Sequence, residues 1–272
     1  MVFPTDVRIE HDVAYLPAGR EEKADLYFPL TMPQDRLLAA VIIIHGGGFN
    51  EGDKGRPREI SIGRTLALHG YVGMSINYKL AKTKGVATWP QPVYDAKAAV
   101  RWLRMNSARL GLDPERIAVI GCSAGGNLAA MLALTGPADE FDAASPYPAV
   151  PAAVRCAIDF YGVIELLDYH DMKMFARSRT EAPELYRRGS PNRYADAHDA
   201  PMLIVHGTAD ETVKVAHSEL LAAALAQAGV EHQLVLLPGA PHTFDLEPKQ
   251  RDLRPLVLEF LDKHLPPPVT GK

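Results

Sequence analysis

The feature that most constrains this chain is a series of short segments, apolar on both faces, that alternate with segments of helical spacing. Because apolar and polar residues do not alternate within them, each short segment is typical of a strand buried on both faces. Helical periodicity is found between them, over residues 93–105 and 217–228. The alternation predicts an α/β fold: a mainly parallel sheet covered by helices on both faces. The six short segments are residues 40–44, 72–77, 117–120, 156–160, 202–205 and 233–237.

The first thirty residues depart from this alternation. Residues 7–16 and 22–28 have strand character and are joined by the turn sequence Pro17-Ala18-Gly19-Arg20, with no helix between them. Strands joined by so short a turn pair in the antiparallel direction. We therefore expect an antiparallel edge that completes an eight-stranded sheet.

Length and charge exclude several classes of protein. A chain of 272 residues without internal repeats or linkers is most simply one domain, residues 1–272. The formal net charge of −4 gives no basic surplus and argues against nucleic acid or anionic lipid as the main partner. The longest apolar runs have eight residues (37–44) and seven (128–134), whereas a transmembrane helix needs roughly 20.

The first ten residues bear on the compartment. They mix charged and apolar side chains and lack the continuous apolar centre of a signal peptide. The sequence as it stands predicts a cytoplasmic protein, and a secreted or periplasmic one if a signal peptide has been removed. Nothing in the sequence decides between a monomer and a homodimer.

The first sequence with catalytic character follows the segment at residues 117–120. It reads Gly121-Cys122-Ser123-Ala124-Gly125-Gly126-Asn127 and leads into the helix-forming run 128–134. A G-x-S-x-G sequence between a strand and a helix forms a strained turn that holds the serine hydroxyl above the sheet. Ser123 is therefore the candidate nucleophile; the alternative is a glycine-rich turn that matches by chance.

A second sequence, His45-Gly46-Gly47-Gly48-Phe49, follows the segment at residues 40–44. Glycines allow backbone N–H groups to approach a developing oxyanion without a Cβ in the way. The predicted donors are the amides of Gly47, Gly48 and Ala124. The alternative is a tight turn, which would need one glycine rather than three.

A serine hydroxyl needs a base and an acid that orients the base. Asp210 and His242 follow the segments at 202–205 and 233–237, respectively, so the candidate residues occur along the chain in the order serine, acid, histidine. Glu211 and Asp159 are rival acids. We expect His206 to organise the acid loop by hydrogen bonding rather than to act as the base.

The remaining histidines and the two cysteines show no metal-binding pattern. No H-E-x-x-H spacing occurs, and Cys122 and Cys156 are too few for a cysteine zinc cluster or a disulfide scaffold. The sequence therefore predicts neither a metal nor another cofactor. As a rival nucleophile, Cys122 occupies the variable position of the serine turn, where a structural role is expected.

Taken together, these motifs resemble the α/β-hydrolase superfamily, and within it the bacterial esterase and lipase branch related to hormone-sensitive lipase and to acetyl and feruloyl esterases. The similarity spans about residues 7–265. Two departures are Cys122, where the hormone-sensitive lipase group usually has an acidic residue, and an N-terminal segment too short for the helical cap of many lipases. The motifs that carry the resemblance are 24–29, His45–Gly48, 77–80, Trp89-Pro90 with Asp95, 100–103, 121–127, 206–210 and His242.

The resemblance implies a serine carboxylic-ester hydrolase with the triad Ser123, Asp210 and His242. It implies short-acyl substrates, with acetyl or feruloyl groups on carbohydrate as candidates, and a small-molecule or carbohydrate ester as the partner. Two alternatives stay open: an arylformamidase or prolyl-oligopeptidase-type amide hydrolase, and a non-catalytic ligand-binding relative.

Residues 163–199 contain no clean strand and are predicted to form a cap-like insertion near the active site. Four aromatic residues near strand ends are candidates for substrate contact: Phe49, Tyr78, Trp89 and Tyr161. Six basic residues of the insertion either recognise an acidic or sugar substrate or form a solvated surface, and the second interpretation is favoured. These are Lys173, Arg177, Arg179, Arg187, Arg188 and Arg193.

Overall fold

The computed structural model describes residues 7–266, and all strands in this range belong to one sheet of eight. Strands form at all six predicted segments and at both N-terminal segments, but the strand at 233–237 lies at the edge of the sheet and is only partly buried, not buried on both faces as predicted. The inner strands pack against helices on both sides because each presents apolar side chains to both faces of the sheet. The strands are β1 (Val7–Val13), β2 (Ala24–Pro29), β3 (Leu38–Ile44), β4 (Val72–Ile76), β5 (Leu112–Cys122), β6 (Ala157–Phe160), β7 (Met202–Gly207) and β8 (His232–Leu237).

The sheet has the strand order β1-β2-β4-β3-β5-β6-β7-β8. Strand β1 pairs antiparallel with β2, and β2 pairs antiparallel with β4, as expected for the N-terminal edge. All remaining pairs are parallel. The carboxyl ends of β3 and β5 to β8 therefore lie along one edge of the sheet, where ligands bind in open α/β folds.

Helices cover both faces of this sheet. The helices predicted over 93–105 and 217–228 are confirmed, and the helix-forming run 128–134 lies in the helix that follows Ser123. The helices over 57–68 and 254–264 were not predicted. The helices are α1 (Pro57–Leu68), α2 (Gln91–Met105), α3 (Ser107–Leu110), α4 (Ala124–Leu134), α5 (Glu140–Ala143), α6 (Pro183–Arg188), α7 (Ala216–Ala228) and α8 (Arg254–His264).

Two apolar clusters form the core, one on each face. In β3, Ile42 and Ile44 point to the cluster that includes α2, α4 and α7, while Val41 and Ile43 point to the cluster that includes α1 and α8. Successive side chains of a strand point to opposite faces, so a strand in the middle of this sheet needs apolar residues on both faces. Burial on both faces holds the strand ends, and the loops that follow them, in fixed positions.

The segment 163–199 contains no strand, as predicted. It has three single-turn 3₁₀ helices (Leu166–Asp168, Lys173–Phe175, Pro191–Arg193) and the short helix α6. The buried Asn127 side chain of α4 connects it to the serine turn: its Nδ2 donates to the carbonyls of Val163 (2.8 Å) and Gly189 (3.0 Å). One amide therefore fixes two points of the insertion to the helix that follows Ser123.

Within residues 7–266, no helix combines the length and hydropathy needed to cross a bilayer. The interpretation of residues 1–10 as lacking a signal peptide concerns, in part, residues 1–6, which lie outside the described range. The predicted domain limits 1–272 also extend beyond that range at both ends.

The two hydrogen bonds of Asn127 give a prediction for stability. Asn127→Ala leaves two buried carbonyls without a donor, and an unsatisfied buried polar group costs about 1–3 kcal/mol. We expect the free energy of unfolding, measured by urea denaturation, to fall by about 2–4 kcal/mol. Asn106→Ala, which removes a single bond to the Trp102 carbonyl at the end of α2, is the control and should cost less. Equal losses in the two variants would contradict this role of Asn127.

Candidate active site

Backbone strain is concentrated at the carboxyl edge of the sheet. Among residues 7–266, four of the seven non-glycine residues with positive φ lie beyond strand ends at this edge: Phe49 (61°), Ser123 (57°), Tyr161 (46°) and Thr243 (63°). Such conformations cost of order 1–3 kcal/mol each and persist only where surrounding contacts enforce them. The clustering marks this edge as a candidate functional site independently of any motif.

The turn at Ser123 depends on close backbone contacts. A Cβ on Gly121 would lie 1.9 Å from the Gly125 carbonyl oxygen, and one on Gly125 would lie 2.0 Å from that of Ile44. Neither position can hold a larger residue without moving the backbone. The Ser123 amide donates to the Phe160 carbonyl (2.8 Å), so the serine is held between β5, β6 and the first turn of α4.

The structure brings Ser123, His242 and Asp210 together. The Ser123 hydroxyl donates to Nε2 of His242 (3.0 Å), and Nδ1 of His242 donates to Oδ2 of Asp210 (2.6 Å). His242 is largely buried and Asp210 fully buried at the side chain. This is the arrangement in which an imidazole can accept the serine proton while a carboxylate orients it.

Asp210 is held by several donors besides His242. The amides of Thr212 and Val213 donate to its Oδ1 (2.9 Å each), and Nε2 of His206 donates to its Oδ2 (3.1 Å). Ser218 Oγ contacts the other ring nitrogen of His206 at 2.7 Å. Burial lowers the pKa of His206, so it remains a neutral donor. The prediction that His206 organises the acid loop is confirmed.

The rival acids do not reach the imidazole. Glu211 is exposed, and Asp159 points beneath the serine turn, where its Oδ1 is 2.1 Å from the position of a Cβ on Gly126. Neither oxygen of Asp159 has a well-formed hydrogen bond to a group within residues 7–266. Burial raises the pKa of Asp159 to about 7, against a smaller opposing contribution from the nearby Gly162 amide.

The glycine loop after β3 packs against the serine turn. A Cβ on Gly46 would lie 3.1 Å from the Cβ of Ser123, and Gly47 and Gly48 both have positive φ. In the described chain the amides of Gly47 and Gly48 donate to no protein group. The Ala124 amide opens α4, and the first N–H groups of a helix have no acceptor within it. That the amides of Gly47, Gly48 and Ala124 bind an oxyanion stays a prediction.

His45 is a structural part of this loop. Its ring stacks on Tyr78 (centroids 4.4 Å apart), and a Cβ on Gly52 would lie 2.1 Å from its Nδ1. Burial lowers the pKa of His45 to about 4, so it is neutral near pH 7. Tyr78 also donates to the His45 carbonyl (3.0 Å), which makes it a support for the glycine loop.

The prediction of substrate contact is wrong for three of the four aromatic residues. Phe49, Tyr78 and Tyr161 have no more than 1% of their surface exposed, so their rings are not available to a ligand. These large aromatic side chains pack beneath the loops because burying them contributes more free energy than burying smaller side chains. Trp89 is partly exposed and packs against Phe141 and Phe175 (5.8 and 5.5 Å between centroids).

Most basic residues of the insertion bind nearby carboxylates or backbone carbonyls. Arg188 binds Glu140 through two bonds of 2.6 Å, and Arg193 binds Glu165 at 2.8 Å. Arg187 pairs with Glu184, Arg177 donates to the Glu181 carbonyl, and Arg179 donates to the carbonyls of Leu167 and Tyr169. Lys173 belongs to the second 3₁₀ helix. These contacts favour a solvated surface over a substrate-binding cluster.

Within residues 7–266, no group of histidine, cysteine and acidic side chains is arranged to hold a metal. Both cysteines are buried free thiols. Burial raises the pKa of the Cys122 thiol to about 12, which leaves almost no thiolate at neutral pH. Cys122 is therefore poorly suited to act as a nucleophile.

Comparison with known proteins agrees with this geometry. The BD-FAE family model matches residues 24–225. The chain belongs to the BD-FAE family. Over 265 residues it is 31% identical to the ethyl acetate hydrolase of Pseudomonas putida, covering 88% of this chain and 78% of that one. It is 32% identical to esterase LipQ of Mycobacterium tuberculosis, covering 86% of this chain and 57% of the relative, so it spans little more than half the length of that protein.

Solved structures confirm the α/β-hydrolase fold of this BD-FAE member. A truncated carbohydrate esterase from gut microbiota superposes with a TM-score of 0.83 at 24% identity, covering 94% of this chain and 96% of that one. The esterase Est2 of Thermogutta terrifontis superposes with a TM-score of 0.78 at 26% identity, covering 98% and 96%.

Two residues that support the site were not predicted from the sequence. Arg58 lies behind the glycine loop, with Nη2 3.6 Å from the position of a Cβ on Gly46. Asn127 belongs to the serine motif, but the motif assigns it no role. Both residues contact groups that are distant in the chain, so no local sequence pattern predicts their roles. For Asn127 one signal was available, a polar residue directly after the two glycines of the serine motif.

The buried carboxyl of Asp159 gives a prediction of pH dependence. In the unfolded chain an aspartate has a pKa near 3.9, whereas the folded pKa is about 7. From about pH 4 to 7 the unfolded state releases a proton that the folded state retains, so stability falls as pH rises, by about 1.4 kcal/mol per pH unit at most. Asp159→Asn, which stays neutral, should therefore gain stability over wild type progressively across this window.

Thermal melting of both proteins between pH 4 and 8 measures this difference. Asp25→Asn is the control: burial opposes ionisation there, but hydrogen bonds from Lys54 and the Asp12 amide outweigh it and hold the pKa of Asp25 below its usual value. That variant should lose stability at neutral pH. A pH-independent difference between Asp159→Asn and wild type would contradict the assignment of a buried neutral carboxyl.

Proposed function

We propose that this chain is a carboxylic-ester hydrolase that cleaves short-acyl esters in one catalytic domain, with Ser123, His242 and Asp210 as its triad. The observation that carries the proposal is the continuous hydrogen-bond chain from the Ser123 hydroxyl through His242 to Asp210, with links of 3.0 and 2.6 Å. The esterase names of its relatives support the reaction class. The reaction as proposed uses no cofactor.

In the first half-reaction, His242 Nε2 takes the proton of Ser123 as its Oγ attacks the ester carbonyl carbon. The carbonyl oxygen becomes an oxyanion and accepts hydrogen bonds from the amides of Gly47, Gly48 and Ala124. The positive end of the α4 dipole favours the same charge. The intermediate collapses as His242 donates its proton to the leaving alcohol oxygen, which leaves an acyl-enzyme on Ser123.

In the second half-reaction, water replaces the alcohol. His242 takes a proton from the water as its oxygen attacks the acyl carbon, and the oxyanion again binds the three amides. Collapse returns the proton from His242 to Ser123 Oγ and releases the carboxylic acid. Asp210, held in place by its hydrogen-bond donors, orients the ring and stabilises the imidazolium in both half-reactions.

The preferred substrate is a small acyl group, acetyl above all, on a bulky carbohydrate alcohol. The insertion at 163–199 is short, with three single-turn 3₁₀ helices and the six-residue helix α6, and so small a cap favours a small acyl group over a fatty acyl chain. A relative is named for ethyl acetate, and a structural neighbour is described as an acetyl ester-xyloside hydrolase.

Replacement of the nucleophile tests the triad. Ser123→Ala should lower kcat on p-nitrophenyl acetate by on the order of 10⁶-fold, the loss that follows removal of the triad serine from the serine hydrolase subtilisin. Cys122→Ala is the matched control next to it and should retain kcat within about tenfold, because a buried neutral thiol takes no part in the reaction. Substantial activity in Ser123→Ala, or its loss in Cys122→Ala alone, would overturn the assignment.

A substrate panel tests the specificity. Rates on p-nitrophenyl esters from acetate to palmitate should fall with acyl length, and acetylated xylan fragments should be cleaved with release of acetate. Feruloyl esters and N-formylkynurenine complete the panel, with Ser123→Ala as the blank. Rates that rise steadily to palmitate would refute the short-acyl preference, and cleavage of the formamide above all esters would favour an arylformamidase.

A further inference from the structure

Tyr161 occupies a strained, fully buried position between the serine turn and the histidine loop. It follows β6 directly, its φ is 46°, and its amide donates to the Val205 carbonyl (2.9 Å). Its ring lies edge-on to the imidazole of His242, with centroids 4.8 Å apart. A tyrosine so placed contacts the proposed base while its own surface stays fully buried.

The phenol of Tyr161 ties down the loop that carries His242. Its hydroxyl donates to the Phe244 carbonyl (2.5 Å), two residues after the histidine. The Phe244 ring packs on the Tyr161 ring (4.5 Å) and on Phe160 (5.6 Å). The loop is therefore held by one buried hydrogen bond and an aromatic cluster at the point where the chain leaves His242, with Thr243 between them in a strained conformation.

Arg58 completes this arrangement from the other side. Its Nη1 donates to the Tyr161 hydroxyl oxygen (3.3 Å), and its Nε and Nη2 bind Oε1 of Glu59 (2.8 and 2.7 Å). Glu59 is fully buried and belongs to the same helix, α1. A cationic donor to a phenol oxygen makes the phenol a better donor in turn, so the bond to the Phe244 carbonyl is strengthened.

We propose that Tyr161 is a positioning residue for the reaction, acting through the Phe244 carbonyl to hold the His242 imidazole in line between Ser123 and Asp210. The inference rests on the proposed function, in which His242 is the base. Proton transfer requires donor and acceptor within about 2.6–3.2 Å, and a displacement of about 1 Å can cost 10²-fold in rate. Loosening the loop should therefore slow the chemical step without removing a substrate contact.

Tyr161→Phe removes the hydroxyl alone and keeps the ring. We expect kcat on p-nitrophenyl acetate, per active site titrated with a fluorophosphonate, to fall about tenfold. KM should stay within about twofold, because no group that touches the ester is altered. Solvent exchange of the His242 Nδ1 proton, followed by NMR, should become faster.

Tyr71→Phe is the matched control. It also removes the hydroxyl of a buried tyrosine, one that donates to the exposed Asp262 at the opposite end of the sheet (2.5 Å), so it reports the general cost of such a change away from the site. We expect its melting temperature to fall while kcat per titrated site and the exchange of the His242 proton stay unchanged.

Three outcomes overturn the proposal for Tyr161. They are an unchanged kcat per titrated site in Tyr161→Phe, a change in KM alone, and an equal kcat loss in Tyr71→Phe. These results are distinct from failure of the proposed function, which would appear as a wild-type protein that neither cleaves the ester panel nor reacts with the fluorophosphonate. If Tyr161→Phe folds poorly, titration still normalises kcat to the folded fraction.

Discussion

The site depends on one close backbone contact, the approach of the serine turn to the end of β3. Gly125 lies so near the Ile44 carbonyl that a Cβ would be 2.0 Å from the oxygen. This contact brings the first turn of α4 against the end of β3, where the glycine loop begins and where Gly46 packs against Ser123. The packing of the backbone therefore sets the positions from which the catalytic side chains project.

Burial shifts three polar side chains near the site toward their neutral forms. His45 and His206 are neutral because burial lowers their pKa, and burial raises the pKa of Asp159 to about 7. The carboxylate of Asp210 instead accepts four hydrogen bonds. These bonds fix the carboxylate that orients His242, which is the arrangement in which it can stabilise an imidazolium.

Local patterns predicted the strands, the strand-end positions of Ser123, Asp210 and His242, and the support that His206 gives to the acid loop. These follow from apolar runs and turn chemistry, which are read over a few residues. Helix α1 was not predicted, because its buried face includes Glu59 and Gly63 as well as apolar residues. A glycine is needed at position 63 because a Cβ there would lie 2.6 Å from the Tyr27 ring. The sequence alone does not predict that contact.

The aromatic residues show why position near a strand end does not define a role. Tyr78 and Tyr161 both follow strands at the catalytic edge, where contact with substrate was expected, yet both are buried and donate to backbone carbonyls, of His45 and Phe244 respectively. A loop that must hold a catalytic group needs buried packing beneath it, and the strand ends below the site are where such packing can be supplied. Burial at the edge therefore distinguishes residues that shape the site from those that line it, and only the tertiary structure reports burial.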